Sequence, residues 1–460
     1  MKRDAAHIPH AETGSYPLRA GNDVRPLVDG EPAFRRICEA VEAARERVWV
    51  TVAFLQREVQ MPDGRGSFFD VLDRAQQRGI DVRVIFWRSP EQEEEQPGVH
   101  FSGTGEERRW LDERGSRFQA RWDTLPDFSC HHQKSWIVDA GELDEVAFVG
   151  GINLSPTSVV APGHAPREGG DVHDVYVQVR GPAASDVHHN FVQRWNEASE
   201  REKPDGVWPP DDDGGDLAFP ERASAEAGEV PVQITRTVLR DRYRDTTPTP
   251  GGVPFPIRDG EQSVHEQYHA AIDGAQRSVY VEDQAIGSPG IIAKLDEALS
   301  RGVEIVFLVP VNAHPAFVRA RKNEKLAPFF EMLHGLARFD HFSLVGIANN
   351  HGPGRYHDVY VHAKIALVDD VWATIGSTNV ADRSFHSDTE LNASFWHAET
   401  VRSLRVELFR EHLGVDTAAL DDLAALRLYR ERARENAMLR GRGEPLRGLA
   451  FELDPVTYGL

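Results

Sequence analysis

The chain has 460 residues, 40% of them hydrophobic and 27% charged, which excludes wholesale disorder and gives room for two large domains or about three smaller ones. A formal net charge of -21 argues against a general nucleic-acid binder, which needs a surplus of Lys and Arg, and against broad adsorption to anionic bilayers, while leaving room for a local basic pocket. Two cysteines, Cys38 and Cys130, make neither a disulfide framework nor a thiolate zinc site, the start lacks the apolar run of a secretory signal, and the longest apolar stretches are strand-length. The expected location is cytoplasmic, with any lipid met as a peripheral protein.

From Arg47, "RVWVTVAFL" predicts a strand, "SFFDVLDRAQQRG" a helix closed by Gly79 and "IDVRVIFW" a second strand, a unit that implies a parallel sheet. "GEERRWLDERG" predicts a helix, "RFQARW", "EVAFVGG" and "HDVYVQVRG" strands, and "AASDVHHNFVQRWNEA" a helix. The order then repeats: helix "VHEQYHAAIDGAQ", strand "SVYVEDQ", helix "GIIAKLDEALSRG", strand "VEIVFLVP", a helical region from Ala316 to Leu336, and strands "HFSLVGI", "YVHAKIALVD" and "VWATIGSTN". "FFDVLDRAQQRGIDVRVIFW" set beside "IIAKLDEALSRGVEIVFLVP" shows one α/β unit used twice.

The expected fold is therefore two similar α/β domains, each a helix-flanked mixed β-sheet, packed as a pseudo-dimer with the active site at their interface. The boundaries are an N-terminal extension at 1–30, a first half at 31–200, a linker at 201–230, a second half at 231–415 and a C-terminal helical tail at 416–460. The linker is rich in Pro, Asp, Glu and Gly; its "DDDGGD" lacks the spaced ligands and closing Glu of a calcium loop and reads as exposed chain.

"CHHQKSWIVD" and "VHAKIALVDD" share the skeleton His-x-Lys-x4-Asp. On a strand, residues two apart share a face, so His132 projects with Lys134 and His362 with Lys364. Asp139 and Asp369, seven positions after each His, fall on the opposite side or at the strand end and read as structural anchors. Downstream, "GGIN" carries Asn153, and "GSTN" carries Ser377 and Asn379, neutral donors beside small residues that let backbone approach a ligand. Lys and Asn donors match the oxygens of a phosphate. One imidazole attacks phosphorus while the other protonates the leaving oxygen and then activates water or an alcohol. Asp174 and Glu390 are the candidate carboxylates for the distal ring nitrogens.

His131 reads as a neighbour lining the pocket. The Lys pair supplies positive charge, so no metal and no other cofactor is expected, and a Lys two residues from each His disfavours a bound cation. A lone His-x-Lys is usually a surface pair; two copies at the same place in a repeated unit make coincidence a poor account.

These residues resemble the phospholipase D superfamily, whose signature of His-x-Lys-x4-Asp followed by Gly-Gly or Gly-Ser and Asn occurs twice. The likeness runs from about Val48 to Phe409 and is nearest to phospholipase D proper, through "HHQKSWIVD" with "AFVGGIN", "HDVYVQVRGPAASDVHHNFVQRWN", "VQITRT", "VYVEDQAIGS" and "VHAKIALVDDVWATIGSTNVADRSF". It implies a hydrolase that cleaves the distal phosphodiester of glycerophospholipids, such as phosphatidylcholine to phosphatidic acid and choline, through a phosphohistidine intermediate, with transphosphatidylation as a side activity. Carried over by position, His132 is the nucleophile and His362 the acid/base, Lys134, Lys364, Asn153 and Asn379 hold the phosphate, and Asp174 and Glu390 orient the imidazoles.

Asp283 stands in "EDQ" where relatives often have Asn and is expected at the pocket rim. The implied partners are a phospholipid at a membrane surface and water or an alcohol, with no nucleic acid; an oligomer is not required, since the pseudo-dimer completes the site. The alternatives are a cardiolipin-synthase-like phosphatidyltransferase, a class that usually carries membrane-spanning helices near its start, a nuclease or other non-lipid phosphodiesterase, and a non-catalytic scaffold.

Overall fold

The computed structural model describes residues 7–88, 100–101, 104–125, 129–167, 170–199, 207–208 and 215–460. Its first half is built on β1 (Arg19–Val28), β2 (Arg47–Val52), β3 (Asp81–Trp87), β4 (Gln119–Asp123), β5 (Ser135–Val138), β6 (Val146–Gly150) and β7 (Val175–Arg180), with helices α1 (Gly30–Ala43), α2 (Phe68–Gln77), α3 (Gly105–Arg114) and α4 (Ala184–Asn196). The strands lie in the order β4-β3-β2-β5-β6-β7-β1; β2, β3 and β4 are parallel and the rest antiparallel.

The second half repeats the plan with β8 (Val230–Val238), β9 (Ser278–Asp283), β10 (Glu304–Leu308), β11 (Phe342–Asn350), β12 (Lys364–Val368), β13 (Trp372–Gly376) and β14 (Glu390–Trp396). Their order is β11-β10-β9-β12-β13-β14-β8, again with one parallel triplet and an antiparallel remainder. Its helices are α5 (Ser263–Gly274), α6 (Pro289–Ser300), α7 (Pro315–Arg321), α8 (Ala327–Leu336), α9 (Ala398–Leu413) and α10 (Asp422–Gly441). The fold is thus α/β, as expected, and β1 pairs with β8 at Arg19 and Asn22 to join the two sheets.

The β-branched runs of the parallel strands are buried on both faces, which suits strands covered by helices on one side and by another sheet on the other. Ile137, Val149 and Val177 of the first sheet share one buried cluster with Ile365, Ile375 and Ala393 of the second, together with Phe191 and Trp195 of α4 and Leu408 and Phe409 of α9. Helices α1 and α2 close a second cluster on the outer face of the first sheet, and α5, α6 and α8 close a third on that of the second. The matching helices α2 and α6 begin alike. Ser67 Oγ accepts the Asp70 N–H, while the Asp70 carboxylate accepts the Ser67 N–H at 2.7 Å, and Ser288 caps α6 ahead of Pro289.

Four sequence expectations differ from this picture. The stretch read as an extension, 1–30, contains β1, whose polar "RAGNDVRPLV" hides a strand because its partners, β7 and β8, are remote in sequence. Of the linker, Val207–Trp208 pairs with β4, and Asp211, Asp212 and Asp213 of "DDDGGD" lie outside the described residues. The helical region expected from Ala316 to Leu336 breaks at Asn323, whose side chain caps a 3-10 turn, and restarts at α8 with Pro328 in its first turn. The tail adds to α10 a strand, Ala450–Leu453, that pairs antiparallel with β11.

Candidate active site

The His-x-Lys segments do not sit wholly on strands: His132 and Lys134 both precede β5, and His362 precedes β12, which Lys364 opens. Backbone bonds across the halves hold these lead-in segments. Thr389 N donates to Cys130 O at 2.9 Å and His132 N to Thr389 O at 3.0 Å. In mirror fashion, His362 N donates to His173 O at 2.8 Å, and Tyr360 and Val361 pair in parallel with Val172 and His173.

The residue after each crossing point is a carboxylate, which lands on the imidazole of the opposite half. His132 Nδ1 lies 3.0 Å from Glu390 Oε2 and 2.9 Å from Ser377 O, and His362 Nδ1 lies 2.6 Å from Asp174 Oδ2. With Nδ1 engaged, Nε2 is the nitrogen left for the cavity that both rings line. Each half therefore supplies one imidazole and the carboxylate that orients the other.

Burial sets the protonation of these pairs. Burial, then Lys134 and Lys364, hold His132 well below the usual imidazole range, and burial and the same two Lys do so for His362. Burial pushes Asp174 and Glu390 each up to about 7, against the opposing pull of the Lys side chains. The pairs are thus held close to electrical neutrality. Lys134 donates to His132 O at 2.8 Å and Lys364 to His362 O; burial, with Lys364 adding to it, brings Lys134 down to about 8. Lys364 Nζ lies 3.5 Å from Gln284 Oε1, a residue that sequence spacing did not single out.

The cavity has a volume of about 640 Å³. Asn153 and Asn379 line it, and the Oδ1 atom of each is buried with no hydrogen-bond partner among the described residues. Phe54, Trp87, Phe317, Tyr360 and Tyr458 form an aromatic lining that no motif announced.

Other expected residues sit elsewhere. Ser377 points its hydroxyl to Glu390 Oε2 at 2.5 Å and its carbonyl to His132, so it braces the imidazole pair and does not face a ligand. His131 is fully buried between Asp123, at 2.9 Å, and Thr389 Oγ1, at 2.8 Å, away from the cavity lining. Asp283, expected at the rim, is buried; it accepts the N–H groups of Ala285 at 2.8 Å and Val380 at 3.0 Å, bracing the turn that carries Asn379.

Asp139 accepts the N–H groups of Arg45 and Glu46 at 2.8 Å, and Asp369 those of Gln276, Arg277 and Ser278 at 2.8–2.9 Å. Both occupy a left-handed turn, at φ 55° and 56°, which Asp tolerates better than most residues. Gly151 was expected to admit a ligand. A Cβ there meets Asp174 Oδ1 at 2.4 Å and Lys364 Cδ at 3.0 Å, so the missing side chain makes room for two site residues.

Comparison with known proteins identifies the family. The "Phospholipase D" family model matches residues 159–311 and the "Cardiolipin synthase, PLD-like domain" model residues 268–412. The chain belongs to the phospholipase D superfamily. Phospholipase D A of Dictyostelium discoideum is 24% identical over 87% of this chain and 36% of its own length, and phospholipase D alpha 4 of Arabidopsis thaliana is 25% identical over 87% and 66%. Cardiolipin synthase A of Pseudomonas entomophila is 25% identical over 82% of this chain and 66% of its own length. The chain thus spans from about a third to about two thirds of these superfamily relatives. The crystal structure of phosphatidylserine synthase from Haemophilus influenzae covers 94% of the chain, and is covered over 97%, at a TM-score of 0.58 and 13% identity, a likeness of fold.

Proposed function

We propose that this chain is a phospholipase D: it hydrolyses the distal phosphodiester of a glycerophospholipid such as phosphatidylcholine and passes the phosphatidyl group to an alcohol as a side activity. The observation that carries this reading is the crossed pair of imidazole–carboxylate contacts at one cavity, with two buried Lys behind them and the side-chain amides of Asn153 and Asn379 on its wall.

In the first step Nε2 of His132 attacks phosphorus, an N–P bond forms and the bond to the head-group oxygen breaks. His362 gives its Nε2 proton to that oxygen. In the second step His362 takes a proton from water or an alcohol, whose oxygen attacks phosphorus and breaks the N–P bond. Glu390 accepts the His132 Nδ1 proton, which leaves Nε2 of that neutral ring free to attack, and Asp174 accepts the His362 Nδ1 proton and steadies the imidazolium that gives up its Nε2 proton in the first step and is restored in the second. Lys134, Lys364, Asn153 and Asn379 carry the charge that gathers on the non-bridging oxygens. His132 takes the attacking role by resemblance to the superfamily, since the two sets are alike in kind. The reaction uses no metal. The lipid is met at a membrane surface; among the described residues no helix is long and apolar enough to cross one.

The match to the cardiolipin synthase model supports a second reading, in which the acceptor alcohol is itself a phospholipid and the chain is a phosphatidyltransferase. One assay separates the readings. Wild type, His132→Ala and His362→Ala are incubated with phosphatidylcholine vesicles and ethanol, with phosphatidylglycerol vesicles, and with plasmid DNA. Phosphatidic acid and phosphatidylethanol from the wild type alone are expected; cardiolipin from phosphatidylglycerol alone selects the transferase, cut DNA alone selects a nuclease, and undiminished activity in either variant sinks the shared site.

A further inference from the structure

A second cluster of imidazoles and carboxylates lies outside the proposed reaction. It centres on His173, whose carbonyl receives the N–H groups of His362 at 2.8 Å and Ala363 at 3.1 Å. His173 Nδ1 lies 2.9 Å from Asp29 Oδ1 and 3.4 Å from His164 Nε2. His164 Nε2 in turn lies 3.5 Å from Asp29 Oδ1 and 3.3 Å from Glu411 Oε1. The four come from separate places: Asp29 follows β1, His164 lies between β6 and β7, His173 precedes β7 and Glu411 is on α9. No spacing in the sequence brings them together.

The side chains of Asp29, His164 and His173 are 0% exposed and that of Glu411 is 5% exposed. Carboxylates this deep need a compensating charge. Among the described residues no Lys or Arg pairs with Asp29 or Glu411, which leaves His164 and His173 as the groups paired with them, and Asp29 Oδ2, Glu411 Oε2 and His164 Nδ1 are buried without a hydrogen-bond partner. Asp29 also holds φ 64° and ψ 158°, a conformation that belongs to glycine and that an aspartate keeps only when its surroundings fix it.

We propose that Asp29, His164, His173 and Glu411 bind one divalent transition-metal ion, zinc being the class that two imidazole nitrogens and two carboxylate oxygens suit. Four donors at about 2.0–2.2 Å from a tetrahedral ion stand about 3.3–3.6 Å from one another. Of the six spacings, those of 3.3, 3.4 and 3.5 Å match this, that of 2.9 Å needs a small opening, and the two from Glu411 to Asp29 and His173 lie within 4.8 Å. The outer shell has the form such sites take. His173 Nε2 lies 2.9 Å from Glu282 Oε2, which holds the ring proton on Nε2 and presents the Nδ1 lone pair to the ion, and the Gly163 N–H donates to Glu411 Oε1 at 2.7 Å. Glu411 also lines a surface cleft of about 340 Å³ with Val28 and Gly163, an access route for the ion. The ion ties α9 to the first half and fixes the His173 peptide that receives His362.

The test uses the full chain, dialysed against a chelator and titrated with Co²⁺ and Zn²⁺. One equivalent of Co²⁺ is expected to give the strong visible bands of a tetrahedral site, to be displaced by Zn²⁺, and to raise the thermal midpoint; His164→Gln loses the bands. If His164→Gln fails to fold, Glu411→Gln, at the cleft edge, is expected to weaken binding at least about tenfold. Absence of stoichiometric binding by the wild type overturns the proposal and leaves a protonated His173 between Asp29 and Glu282. Binding that survives both variants and vanishes in His265→Ala also overturns it, assigning the ion to the surface group of His265, His269 and His386, whose rings lie 4.2 and 4.8 Å apart.

Discussion

Asp174 and Glu390 reach the opposite imidazoles through one residue each, and their burial makes the site sensitive to pH near neutrality. Both are pushed up to about 7, so below that pH the carboxyl keeps its proton and does not accept the ring Nδ1–H. Lys134, brought down to about 8, loses its charge above that pH. The sign follows: kcat/KM rises with pH through about 7, falls above about 8, and the two limbs belong to the coupled site. Glu390→Gln keeps the shape but removes the negative charge beside the His132 Nδ1 proton, and a loss of about 10²–10⁴ in kcat is expected, with KM little changed. A pH–rate profile of both proteins checks this. A flat profile, or an E390Q variant of normal kcat, contradicts the role given to these carboxylates.

At the scale of elements, the repeated skeleton has two ends with different work. The His and Lys end leads into a strand and meets the other half; the Asp end closes the turn after the same strand and gathers backbone N–H groups ahead of β2 or β9. Asp369→Ala leaves the N–H groups of Gln276, Arg277 and Ser278 without their acceptor and keeps a Cβ at φ 56°. The expected cost is about 1–3 kcal/mol, read as a lower urea midpoint, with the turnover of the folded fraction largely retained. A normal midpoint with lost turnover assigns Asp369 to the chemistry instead. The break of the region 316–336 has a local cause of the same kind: the Asn323 cap and Pro328 start new turns where apolar periodicity alone shows one helix.

For the whole molecule, the two sheets face each other across one core, and each half is chemically incomplete. His132→Ala lacks one imidazole and His362→Ala the other, yet both sit in the same chain's site. Mixing the two inactive variants is therefore expected to restore no activity, and the double variant to be no worse than either single one within about tenfold, as for groups that act as a unit. Recovery on mixing, followed in the ethanol assay, indicates sites shared between chains.

The sequence by itself determined the repeat, the α/β class, and the two His-x-Lys copies with an Asn after each, because strand and helix periods and a twice-used motif are local properties of the chain, while Gln284 and the aromatic lining carry no such mark. It also identified Asp174 and Glu390 without saying which imidazole each meets. Only the tertiary structure decided the crossed pairing, since that depends on Thr389 and His173 exchanging backbone bonds with segments some 190 to 260 residues away. The same holds for β1, the buried places of His131 and Asp283, the turning of Ser377 toward Glu390, and the cluster of Asp29, His164, His173 and Glu411. In each case the partner is fixed by how two sheets pack, and contact energies between distant segments leave no period for sequence reading to find.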